Sequence, residues 1–310
     1  MSSAKRNAAI TAVVLIIMGL ILCWWVYRRI GGDLTKLNTA HFEPKTYEVT
    51  EAFRSVDIRE TDFDVNIVLL EDDGLTGRVE TGESDGNTNT VRVEDGTLKI
   101  AREDTRRWYD HIGFSWNDDP SITTVYLPAV WFERIDDSYD DLNVTTVSGD
   151  VSIQRGFDFK NVVITTASGD VDLRAGVSQD WSIKTASGDV YVQDSGGWHG
   201  SIETVSGEVR AAKVYTGNLD IKTVSGDVRL DNTYTEGNTV ISSASGDVEL
   251  LHPESRGFDI STVSGDVEGY IGGGWNFEVS TVSGETELPY SDPEGYPCRI
   301  KTTSGDIELK

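Results

Sequence analysis

Four pairs of carboxylates stand two residues apart in the last third of the sequence: Asp247 and Glu249, Asp266 and Glu268, Glu285 and Glu287, Asp306 and Glu308. On an extended strand residues i and i+2 share a face, so each pair presents two carboxylates to one side. If the segments that carry them stack, the eight groups form two adjacent columns. Carboxylates about 4.8 Å apart repel by roughly 1–3.5 kcal/mol, depending on the effective dielectric. Such columns suit Ca2+, which needs several oxygen ligands, or a cationic peptide. The plainer reading is a solvated acidic face that discourages aggregation, and the sequence does not match the nonapeptide calcium-roll repeat. A second candidate surface is the aromatic run over 106–116, with Trp108, Tyr109, Phe114 and Trp116. It can meet a partner or the bilayer, or plug an exposed core.

Other chemistry is hard to find. The histidines (His41, His111, His199, His252) share no spacing, and there is no HExxH, GxxxxGK[ST] or GxSxG. Some parallel β-helices cleave polysaccharides with carboxylates, so an enzyme remains a remote alternative. A catalytic residue should be singular, however, and the Ser-Gly-Asp step recurs along the chain. No catalytic site and no obligatory cofactor are expected.

That recurrence decides the architecture. The motif [TS]-[VAT]-S-G-[DE]-[VTI] occurs nine times, around Ser148, Ser168, Ser187, Ser206, Ser225, Ser245, Ser264, Ser283 and Ser304, at intervals of 19 to 21 residues. Four residues before each serine stands Val or Ile, and three after it stands Val, Thr286 or Ile307. Apolar residues alternating with polar ones predict strands with one face inward. The Ser-Gly step predicts a turn that uses glycine's conformational freedom, and the Thr or Ser two residues before the serine predicts a hydroxyl ladder at the corner. A coil of about 20 residues cannot bury its own inner face, so neighbouring coils must stack. The expected fold is all-β: a single-stranded parallel β-solenoid (β-helix), preceded by one N-terminal transmembrane helix.

Ahead of the repeats, 49–141 reads as a β-rich cap with degenerate coils. It includes a hairpin about Asp95-Gly96 and a motif-like stretch at 61–65. Residues 8–27 carry no charge and are long enough to cross a hydrocarbon core. Trp24, Trp25 and Tyr27 sit at their end, as at a membrane interface. The bulky WWVYRR ending argues against a cleaved signal. The expected organisation is a tail over 1–7, a membrane helix over 8–30, a linker over 31–48, the cap over 49–141 and the solenoid over 142–310. Flanking positive charge is nearly balanced and does not orient the helix. No atypical segment follows the ninth motif, so the ninth coil is expected to form the open end of the stack, with Arg299, Lys301, Glu308 and Lys310 discouraging end-to-end pairing.

The formal net charge of −25 disfavours nucleic acid and anionic lipid headgroups as partners. Cys23 and Cys298, the two cysteines, cannot build a disulfide framework.

The uncharged N-terminal segment, the hairpin VEDGTLKI, the strand VYLP and the tandem TVSGDV together resemble a putative-adhesin family of unknown function, the LiaX-like bacterial envelope β-solenoid proteins with tandem SGD repeats. The likeness covers about residues 48–310. It implies an envelope location, a solenoid outside the cytoplasmic membrane and no established catalysis. The sequence therefore points to a single-pass envelope protein displaying an acidic solenoid for adhesion, or for sensing envelope or cell-surface ligands. The alternative is a membrane-tethered scaffold that polymerises end to end, as bactofilins do. Self-association is left open.

Overall fold

Nine times over, the motif closes its turn in the same way. The hydroxyl two residues before the serine accepts the glycine N–H of its own coil, from Thr146 with Gly149 (3.2 Å) to Thr302 with Gly305 (2.9 Å). The expected hydroxyl ladder is thus a column of turn locks, almost all buried, of which Thr146, Thr281 and Thr302 also donate to a carbonyl of the adjacent rung. The aspartate performs the link between coils. Asp150 Oδ1 accepts the N–H of Asp170 (2.8 Å), Asp170 that of Asp189 (2.7 Å), and Asp189 that of Glu208 (2.8 Å). The chain of bonds skips one step, at Glu208 and Asp227, and resumes from Asp227 to Asp247 (2.9 Å). Glutamate's extra methylene takes its carboxylate past the next N–H. We expect Glu208→Asp to supply the missing bond and to raise stability by about 0.5–1.5 kcal/mol, read from the urea midpoint.

The motif glycine is also used differently from expectation. No motif glycine has positive φ. What excludes a side chain is proximity: a Cβ at Gly226 would lie 1.7 Å from the Gly207 carbonyl oxygen, and one at Gly169 would lie 1.9 Å from that of Gly149. Left-handed backbone lies instead at the other corner of the coil, where Asp194, Lys213, Asn232 and His252 all have φ near 50°. Asn, Asp and His tolerate that region better than most residues.

The computed structural model describes Trp24, Trp25 and residues 27–29, 42–70, 76–84, 86–105, 121–128 and 138–310. Among these residues the strands form two thirteen-stranded sheets. Each coil gives one sheet a short strand after the motif, such as Val228–Asp231, and the other a longer strand before it, such as Tyr215–Lys222. Neighbouring coils pair in parallel, with the inward residues in register: Ile183 with Ile202, and Val209 with Val228. The core is this inward set, with Val151, Ile164, Ile202, Leu230 and Leu250 almost fully buried.

The last three coils do not follow sequence order. Coil nine (Tyr296–Lys301 and Ile307–Leu309) lies between coil seven (Glu254–Ser261 and Val267–Tyr270) and coil eight (Trp275–Ser280 and Thr286–Glu287). The open rung is therefore coil eight, not coil nine as expected from the sequence. Packing gives the reason. Coil nine offers an entirely apolar inner set, Cys298, Ile300, Ile307 and Leu309, all buried. Coil eight has the polar Thr286 at an inner position, and Thr286 is exposed. A polar inner residue costs least on the last rung.

At the other end the stack continues through two degenerate rungs. Ser55–Arg59 pairs with Tyr139–Thr145 and with Thr97–Asp104, while Asp64–Leu70 pairs with Val151–Ile153 and Ile122–Pro128, all in parallel. Residues 60–64 take the place of a motif. Thr61 O accepts the N–H groups of Val147 and Ser148, both at 3.0 Å, and Asp64 Oδ1 accepts that of Asp150 at 2.9 Å. Phe63 occupies the glycine position, with its carbonyl 1.9 Å from where a Cβ of Gly149 would sit. Its ring lies 3.4 Å from the Arg102 guanidinium. A side chain at this position ends the column of stacked glycines. Gly77–Glu83 then joins one sheet antiparallel to Ile122–Pro128. The expected hairpin turns at Asp95-Gly96, both at positive φ.

Residues 43–48, assigned to a linker from the sequence, belong to the strand Glu43–Val49, which borders Gly77–Glu83. Only Val49 of this strand is buried, so it leaves almost no apolar alternation to read.

The solenoid lies in a unit of residues 44–82, 88–103 and 121–310; residues 1–43, 83–87 and 104–120 form a separate unit. In the latter, the described residues from 24 to 29 are helical and exposed, with Arg28 and Arg29 each 5.2 Å from the ring of Trp24 and Trp25 respectively. Most of the expected membrane helix over 8–30 lies outside the described residues. Among those described, no helix is long and apolar enough to cross a membrane. Trp108, Tyr109, Phe114 and Trp116 also lie outside the described residues.

Candidate binding face

The strand after each motif points its valine inward and the next residue outward, so outward residues of successive coils align along the stack. On the distal coils that column reads Arg229, Glu249, Glu268, Glu308, Glu287, each in direct register with the next. Coil order places Glu308 between Glu268 and Glu287, which the sequence did not indicate. Arg229 pairs with Glu249. Lys310 Nζ lies 2.5 Å from Glu308, and this hydrogen bond raises the lysine above its ordinary range. Among the described residues Glu268 and Glu287 have no ion pair or side-chain hydrogen bond, and both are exposed.

One column further along the same strands lie Leu251, Tyr270 and Lys310. Tyr270 is 50 % exposed and stacks on His252, with centroids 6.0 Å apart and planes 12° apart. Lys310 Nζ lies 6.0 Å from its ring. Glu249, Glu268, Tyr270, Glu308 and Lys310 border a shallow groove of about 160 Å³. The face therefore combines carboxylates, two of them outside any ion pair, with an exposed aromatic ring.

The other expected column is largely committed. Asp247 Oδ1 accepts the Asp266 N–H, Asp266 that of Asp306, and Asp306 that of Glu285, at 2.7–2.8 Å. These aspartates hold coils together, which is a sufficient reason for their recurrence. Of the eight expected site residues, Glu249, Glu268, Glu287 and Glu308 face outward as a row, and Glu268 and Glu287 are the most available. Arg229, Lys310 and Tyr270 also belong to this face; the registers that bring them there depend on coil order. Among the described residues no group of three or more His, Cys, Asp or Glu side chains is placed to hold a metal ion. A row at one carboxylate per rung spreads charge along a line, whereas calcium needs oxygens converging on a point.

Earlier coils carry less net charge, with twelve acidic and seven basic residues over 138–222 against sixteen and five over 223–310. Glu203 lies 2.9 Å from Lys184 and 3.8 Å from Lys222, and the Lys184 hydrogen bond holds its carboxyl below the ordinary range. Arg210 donates to Tyr191 Oη at 2.8 Å. The uncompensated acidity is thus concentrated on the distal coils.

The family model described as Toastrack DUF4097 matches residues 53–310. Among solved structures, the chain is similar to a putative adhesin from Bacteroides fragilis, with 13% identity, a TM-score of 0.49, and 87% of this chain and 97% of that one covered. It is also similar to a putative adhesin from Parabacteroides merdae, with 8% identity, a TM-score of 0.44 and coverage of 88% and 98%. A third likeness is to a putative lipid binding protein from Parabacteroides distasonis, with 12% identity, a TM-score of 0.43 and coverage of 88% and 98%. No curated protein matches the chain.

Proposed function

The chain belongs to the Toastrack DUF4097 family, and from that premise we propose that it is a non-enzymatic, membrane-anchored envelope protein whose solenoid offers an acidic face to a cationic partner. Adhesion, or sensing of envelope ligands such as a cationic peptide, is the role this face fits. The observation that carries the proposal is the row Glu249, Glu268, Glu308, Glu287 with Tyr270 beside it. A row of carboxylates at strand spacing matches a chain of positive charges better than a single ion. The exposed ring adds a surface for cation–π contact with lysine or arginine. The uncharged segment over 8–27 supports a single-pass anchor in a bacterial cytoplasmic membrane, with the solenoid on the outer side.

Calorimetry of the full chain in detergent against polylysine and, separately, against calcium chloride tests the proposal. Binding of polylysine is expected, weakening as salt rises. Glu268→Gln with Glu287→Gln should weaken it about two- to thirtyfold, since each exposed pair contributes roughly 0.2–1 kcal/mol. Absence of binding, or binding unchanged in the double variant, would overturn it. Protease accessibility on intact cells tests the orientation.

The end-to-end scaffold is less well supported. The open rung carries Glu278, Glu285 and Glu287, and at the opposite end the sheets finish in Glu43–Val49 and Asn87–Glu94, neither of which carries the repeat motif that the rungs use to stack.

A further inference from the structure

The out-of-order coil raises the question of what holds it in place. Coil nine makes every connection of an ordinary rung. Asp306 N–H donates to Asp266, and Asp306 in turn accepts the Glu285 N–H. Gly305 packs on the Gly265 carbonyl and Gly284 on the Gly305 carbonyl. The turn hydrogen bond recurs in all nine coils, and coils seven, eight and nine share the same carboxylate link, so these bonds do not choose which coil fills this rung. The choice lies in three columns. Cys298 lies between Phe258 and Phe277, Arg299 between Asp259 and Glu278, and Lys301 between Ser261 and Ser280. Arg299 Nε bonds Glu278 at 3.1 Å.

Those columns also describe the slot without its insert. If coil eight closed directly onto coil seven, Phe258 would meet Phe277, Asp259 would meet Glu278, and Glu268 would meet Glu287. The Asp259–Glu278 contact is like-charged, and like charges directly opposite are destabilising; the glutamate column is like-charged with or without the insert, since Glu308 takes its place between Glu268 and Glu287. The slot is therefore shaped to stay open for a strand with a small residue followed by a cation. Beyond the insert only coil eight remains, with Phe277, Val279 and Leu288 partly buried, so this end has the least packing to resist local opening. The link over 289–295 contains Pro289 and Pro293. Seven extended residues span up to about 23 Å, far enough to cross between adjacent molecules.

We propose that the slot between coils seven and eight is an interaction surface for a second copy of this chain, filled by that copy's residues 296–310 in place of its own. Each exchanged coil satisfies the same hydrogen bonds and the same Asp259–Arg299–Glu278 column, so exchange creates no unpaired strand. This is the situation in which swapping an identical element is a low-cost route to association. The partner is the chain itself, and the linkage runs through the distal rungs rather than end to end.

Two differently tagged full chains in a Cys23→Ser background provide the test, one carrying Ser261→Cys and the other Lys301→Cys. Positions 261 and 301 are direct register partners, and neighbouring strands lie within disulfide reach. After incubation of the mixture in urea below the unfolding midpoint and then oxidation, a disulfide-linked species carrying both tags is expected, in excess of that from Lys301→Cys mixed with a Ser152→Cys chain. Oxidation follows removal of the urea, so that Cys298 is again buried in the slot, where its thiol is pushed up to about 12. Placing both cysteines in one chain should give an internal bond and abolish exchange. Adding Arg299→Glu to the Lys301→Cys chain should cut the mixed species severalfold, while the internal bond of the doubly substituted chain reports that the fold survives. A mixed species no greater than the Ser152→Cys control, or one insensitive to Arg299→Glu, would overturn the proposal.

Discussion

Replacing Gly226 with alanine should cost about 3 kcal/mol or more and divide the stack near its middle. The added Cβ would lie 1.7 Å from the Gly207 carbonyl oxygen, and that oxygen is backbone that cannot rotate away. Relief requires coils four and five to separate, which lengthens the ladder bonds on both sheets at once. The loss should appear as a lower urea midpoint and as new proteolytic cleavage near residue 226. Gly273→Ala is the control: nothing lies within 4 Å of a Cβ there, and its φ is ordinary. Its effect should fall within about 0.5 kcal/mol. Equal losses in the two variants would show that flexibility, rather than close approach, is what the motif glycine supplies.

A second large effect is expected where the glycine column ends. Glu60 and Arg102 occupy, on successive rungs, the position that Thr146 holds in coil one, and both side chains are fully buried as an ion pair. Glu60 also accepts from Thr123 at 2.5 Å and Asn89 at 3.2 Å, while Arg102 donates to Thr81 at 2.8 Å and to the Gly82 carbonyl at 3.2 Å. Arg102→Ala should destabilise the solenoid by about 3–5 kcal/mol, because it strands a buried carboxylate. Glu60→Ala should do much the same. The pair Glu60→Leu with Arg102→Met should recover part of that loss but not all, since Thr81, Thr123 and the Gly82 carbonyl still lose partners. Chemical denaturation of the wild type, Glu60→Ala, Arg102→Ala and the chain carrying both alanines gives the coupling energy, expected above about 1 kcal/mol for groups in contact. Additive losses would argue against an integrated network.

Much of the architecture was legible because it repeats. The Val or Ile four residues before each motif serine is buried in coils such as one, two, three and four, as Val144, Ile164, Ile183 and Ile202, and alternation alone predicts that. The row of outward glutamates was legible for the same reason, since i and i+2 on a strand share a face. The role of the motif glycine was not. A repeated glycine is compatible with unusual φ or with close approach, and only the position of the neighbouring carbonyl distinguishes them. Nor did the motif aspartate announce its bond, because its partner is a backbone N–H some 20 residues away.

Local sequence determined that coils form, what they bury and which way each residue faces, because a strand's period of two and a turn's hydrogen bonds act within a few residues. Tertiary structure alone decided which coil lies beside which. Identical motifs make every rung interchangeable at its turn, so order rests on what differs across rungs: the apolar inner set of coil nine, Thr286 in coil eight, and the Asp259–Arg299–Glu278 column. That order places Glu308 between Glu268 and Glu287, with Lys310 beside Tyr270. The carboxylate pairs were visible in the sequence as acidic strands, but the face they build exists only once coil nine has taken its place between its neighbours.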